Sequence, residues 1–73
     1  PVTTIPFTLQ SDSRVTLAVY NIAGEKIAVL ADTYLPAGSH SYNLNAANVS
    51  SGIYFYRLET RNSSRSMKML LLK

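Results

Sequence analysis

The chain has 73 residues, of which 47% are hydrophobic and 15% charged, and its formal net charge is +3. This length and composition suit one small folded unit with a modest core and exclude an intrinsically disordered segment. With no cysteine to form disulfides or a thiolate metal site, the core must hold the fold unaided, and the longest apolar run, Met69 to Leu72, is far too short to span a bilayer.

Taken in order, Thr3 to Gln10 alternates β-branched and apolar residues around Pro6, which lacks a ladder donor. The segment therefore reads as an edge strand with a break. Ser11-Asp12-Ser13 forms a turn, and Arg14 to Tyr20 is the cleanest strand, with Val15, Leu17 and Val19 on one face and Thr16, Ala18 and Tyr20 on the other. Asn21 to Glu25 contains Asn and Gly24, residues that tolerate positive φ, and predicts a hairpin loop. Lys26 to Leu30 returns as a strand with Ile27 and Val29 on one face. Asp32 to Ser39 reads as a longer connection with a turn at Pro36-Ala37-Gly38. A seventh short strand over Thr33 to Leu35 stays open.

His40 to Leu44 alternates again, with Tyr42 and Leu44 on one side. Asn45 to Ser51 is small, polar and turn-prone, long enough for a single helical turn and no more. Gly52 to Thr60 is the next strand, with Tyr54, Tyr56 and Leu58 assigned inward and Ile53, Phe55, Arg57 and Glu59 outward. Gly52 is assigned a backbone role at its entry, and because Tyr56 is assigned to the core, truncating it to Ala is expected to cost about 3–5 kcal/mol and to unfold a marginal domain. In the last strand Met67, Met69 and Leu71 alternate with Lys68, Leu70 and Leu72, so both faces are apolar over its second half. Six strands spaced by about ten residues, without helical periodicity, predict an all-β, immunoglobulin-like antiparallel β-sandwich of about six to seven strands. No segment is long enough for a parallel crossover.

Catalytic chemistry has little to work with. His40 is the lone histidine and follows a Gly-Ser turn, where a surface role is the ordinary one. Asp12, Glu25, Asp32 and Glu59 are scattered, without a calcium-loop spacing, so no metal is expected. The serines at 50, 51, 63, 64 and 66 sit in polar connections and none occupies a nucleophile elbow. Asn48-Val49-Ser50 and Asn62-Ser63-Ser64 match a glycosylation pattern that arises often by chance. Gly24, Gly38 and Gly52 are followed by no helix, so no phosphate loop or cofactor site is expected. Arg57, Arg61, Arg65 and Lys68 gather around one connector and read as a solvated turn; no nucleic-acid interface is expected from them. The start of the chain shows no charged n-region or apolar h-region, which places any export signal on a longer parent chain.

The blocks Thr4-Ile5-x-Phe7-x-Leu9, Val15 to Ile22 with Gly24-Glu25-Lys26-Ile27-Ala28-x-Leu30, Leu35-Pro36-Ala37-Gly38-x-His40, Ser51 to Leu58 and Lys68 to Lys73 occur in a fixed order across nearly the whole chain. This order and spacing resembles the C-terminal sorting domain of type IX secretion cargo. A related pattern belongs to the immunoglobulin-like domain of the flagellar hook-capping protein. The resemblance implies that residues 1–73 form a single sorting domain of a larger exported protein in a Bacteroidetes-like bacterium. It would be recognised by the outer-membrane translocon and its shuttle protein, then removed by a sortase-like protease that links the cargo to an anionic lipopolysaccharide. The Asn-Pro-Phe-like segment usual before the first strand of the family does not stand ahead of Thr3. Because a sandwich buries one face of its terminal strand, Lys68, Leu70, Leu72 and Lys73 are expected to form the outward recognition set. An immunoglobulin-like spacer or adhesion module, and a fibre subunit that self-associates through its edge strands, are the competing readings.

Overall fold

A computed structural model describes residues 2–72. The strands are β1 (Val2–Leu9), β2 (Ser13–Asn21), β3 (Lys26–Leu35), β4 (Gly38–Asn45), β5 (Gly52–Glu59) and β6 (Ser64–Leu71). They form two antiparallel sheets, a pair β1-β4 and a four-stranded sheet in the order β3-β2-β5-β6. The chain passes between sheets at β1–β2, β3–β4 and β4–β5, so the fold is an immunoglobulin-like antiparallel sandwich of six strands.

The alternation that marks the strands also sets the core. Val15, Leu17 and Val19 of β2 are fully buried, and Leu17 and Val19 share one core cluster with Ile5 and Leu44 of the short sheet and with Tyr54 and Leu71. Ala18 points to the opposite face yet is also buried, because its neighbours across the sheet are Val29 and Arg57, both larger side chains that close over it. The inward set of β5 is confirmed: Tyr54 belongs to the core, and Tyr56 and Leu58 pack against it. Tyr56 is only half-buried, however, which puts its truncation below the 3–5 kcal/mol that full burial would imply.

Three local expectations are corrected. Pro6 does not break β1, which runs through it and pairs Pro6 with Ser41. A two-stranded sheet tolerates this, since each strand turns half of its N–H groups away from its only partner. The segment Asp32 to Leu35 is not a connection, and Thr33–Leu35 is not a seventh strand; both are the far half of β3, paired with Ser13 to Thr16. The register slips by one residue at Leu30 and at Ile27, where two residues of β3 oppose one step of β2. Each slip is a bulge that resets which side chains face inward. Hence Ala28, Leu30 and Ala31 reach the core while Ile27 and Val29 are exposed. Asn45 to Ser51 forms no helical turn but a side-chain-capped bend, with Ala47 N–H donating to Asn45 Oδ1 (3.0 Å) and Val49 N–H to the Ala46 carbonyl (3.1 Å).

The β2–β3 hairpin forms as its sequence predicts. Asn21 Oδ1 accepts from the N–H groups of Ala23 (3.0 Å) and Glu25 (2.9 Å), its Nδ2 donates to Glu25 Oε1 (2.8 Å), and Gly24 supplies φ +85°. Gly38 opens β4 and Gly52 opens β5, also at positive φ. At Gly52 the reason for glycine is backbone conformation and not space: φ is +156°, while an added Cβ would meet nothing closer than Tyr54 Cε1 at 4.0 Å. Gly52→Val is therefore expected to lose about 1–3 kcal/mol through strain alone. A denaturation midpoint equal to the parent's would show that the strand entry relaxes freely.

Candidate functional site

The outer face of the four-stranded sheet carries the sequence-predicted recognition residues. On β6, Met69 and Leu71 turn toward the core, whereas Leu70 is 64% exposed and Leu72, just past the strand, 74%. Lys68 is exposed on the same side as Leu70, and Lys73 lies outside the described residues. Tyr54 and Tyr56, named from the sequence alongside the glycines as structural residues, face the other way and serve the core.

Pairing across the sheet brings further side chains to this face. Leu70 stands opposite Ile53, and Lys68 opposite Phe55, which in turn stands opposite Tyr20. Ile53 is 41% exposed, and on β3 the exposed Val29 stands opposite Ala18, while Lys26 stands opposite Tyr20. Cations border it. Lys26 Nζ lies 5.9 Å and the Arg57 guanidinium 5.4 Å from the centre of the Tyr20 ring, within cation–π range. Glu59 and Asp32 stand toward one end, both opposite Thr16, with Asp32 bound by Arg14 at 2.6 Å, and Glu25 lies in the β2–β3 hairpin at the other. An apolar strip edged by Lys26, Arg57 and Lys68 can desolvate against an apolar partner and orient one of negative charge.

The sequence marked Ile53, Phe55 and Arg57 as outward but did not join them to Leu70. That step needs the β5–β6 register. Tyr20 and Val29 were missed for the same reason, because nothing in β2 or β3 alone tells which strand of the sheet lies beside them.

His40 is not part of this face. It sits on β4 opposite Phe7, its Nε2 donating to the Pro36 carbonyl (2.8 Å), with the Phe7 and His40 ring centres 5.5 Å apart and the Tyr42 ring stacked with that of Phe7 at 6.0 Å. Those contacts give the ring a structural role. Among the described residues no group of three or more His, Asp or Glu side chains is placed to hold a metal ion.

The model of the family described as the secretion system C-terminal sorting domain matches residues 1–73. No curated protein and no solved structure matches the chain. The family is not a catalytic one, and membership implies contact with the type IX secretion machinery. With its strand blocks in order and its terminal hairpin presented on a six-stranded sandwich, the chain belongs to the secretion system C-terminal sorting domain family, whose tails mark proteins for type IX export through the outer membrane to the cell surface or the medium.

Proposed function

We propose that residues 1–73 work as one non-catalytic sorting domain, read through the outer face of β6 by the outer-membrane translocon and its shuttle protein, and then acted on by a sortase-like protease. The observation that carries this reading is the split of β6. Met69 and Leu71 are used by the core, while Leu70 and Leu72, next to them in the chain, remain exposed beside Ile53. Leu70 and Ile53, paired across the two strands, make the exposure contiguous, and a contiguous apolar patch is what marks a binding surface. Lys68 and, by its place in the sequence, Lys73 flank the pair and favour a partner of opposite charge.

The test separates recognition from folding. Leu70→Ser/Leu72→Ser in a reporter fusion is expected to leave the melting temperature close to the parent's, since both residues face solvent, and to hold the reporter in the periplasm. Surface display at the parental level would show that β6 is not the element read, and would favour a spacer role for the sandwich.

A further inference from the structure

The other face of β6 points to a second binding site. β1 pairs with β4 alone, and among the described residues nothing pairs with its other edge. β4 lies against β3, and on the inner face of β6 only Met69 and Leu71 reach the core, so the first half of that face is left open. Met67 is 52% exposed there although it points inward, and Arg65, opposite Leu58 on the same face, is exposed as well.

The result is a cleft of about 750 Å³ with β1 as its wall and Tyr56, Leu58 and Met67 as its floor. The connections at Gln10–Ser13 and Thr60–Ser63 line it too, and Arg61 N–H, donating to Ser13 Oγ at 3.1 Å, ties them together. Arg61 and Arg65 line the cleft against one acid, Asp12, whose Oδ1 accepts from Ala37 N–H at 2.8 Å. Arg14–Asp32 is the one ion pair among the described residues, so neither cleft arginine is neutralised by a carboxylate.

These features select an occupant. An unpaired strand edge beside an apolar floor suits an extended segment: its backbone would continue the β1 ladder on either side of Pro6, which has no N–H to donate, and alternate side chains would drop onto the floor. The two arginines require that the segment be acidic. They also argue against a second copy of this chain, since pairing β1 with β1 about a two-fold axis would bring two such arginine pairs together.

We propose that this cleft binds an extended segment of a partner protein, with acidic residues alternating with apolar ones, paired to the free edge of β1. The probe is a capped peptide of alternating valine and glutamate matched to the eight residues of β1, titrated into the purified 73-residue chain. Binding is expected, with new hydrogen-exchange protection on β1 amides. Arg61→Glu/Arg65→Glu is expected to weaken it about tenfold or more while leaving the circular dichroism spectrum unchanged. Leu70→Ser/Leu72→Ser, on the opposite face, is expected to bind as the parent does, so the cleft and the outer face are tested separately. Absence of peptide binding, equal binding by the charge-reversed chain, or protection confined to β6 overturns the proposal. A concentration-dependent dimer that protects β1 also overturns it, by making a second copy the occupant.

Discussion

Tyr54→Ala is expected to unfold most of the population at room temperature. Tyr54 is 7% exposed and packs in the same cluster as Ala46 and Leu71. Its hydroxyl donates to the Ser50 carbonyl at 2.7 Å and lies 3.4 Å from Ser50 Oγ, which fastens the bend between β4 and β5 to the core. Truncating a buried aromatic costs about 3–5 kcal/mol, and a chain this small has a stability of roughly that size or less. Circular dichroism in buffer, without denaturant, reads the loss directly. Tyr54→Phe keeps the ring and removes only the hydroxyl bond, so it should stay folded with stability lower by about 0.5–1.5 kcal/mol. If the Ala variant melts cooperatively near the parent's temperature, the inward packing of β5 at this position is refuted.

Leu17→Ala should be nearly as damaging, at about 2–5 kcal/mol. Leu17 is fully buried at the centre of β2, between Ala31 on β3 and Leu58 on β5, so two other strands lose packing when it is shortened. A bulge follows immediately, between Leu17 and Ala18, and it limits how far the sheet can shift to close the gap. Tyr56→Ala makes the informative contrast. Tyr56 has the larger side chain but is half-buried and borders the cleft beside β1, so water already reaches it and less is lost. Chemical denaturation of the two variants should therefore place the smaller deletion as the more costly. The opposite order would mean that the cleft is closed in solution.

Both substitutions act on the inward face, whereas the recognition set proposed above lies outward. The two faces of β6 divide the labour residue by residue. Met69 and Leu71 pack into the core, and Leu70 and Leu72 are exposed and available to the proposed partner. A sorting tail attached to different passengers needs a surface that does not change with the passenger, and a rigid sheet face meets that need because the register of β5 and β6 fixes the spacing of Ile53, Phe55, Lys68 and Leu70.

Much of the fold was legible in the order of residues alone. The period-two patterns of β2, β5 and β6 identified the strands and the face each buries, since burial at alternate positions is a local property of an extended chain. Asn21 and Gly24 identified the hairpin because its hydrogen bonds close within five residues. The outward placement of Lys68 and Leu70 followed from the same alternation. Only the tertiary structure decided the rest. Asp32 and Thr33 look like loop residues, but they lie in an edge strand whose side chains need not be buried, so polarity carried no information there. The bulges at Ile27 and Leu30 broke the parity on which a face assignment along β3 depends. The division into two strands over four, and with it the open first half of the inner face of β6, comes from which strands find each other across long separations in sequence. Alternation states which side of a strand faces inward; whether another strand is there to cover it is set by pairings that no single segment encodes.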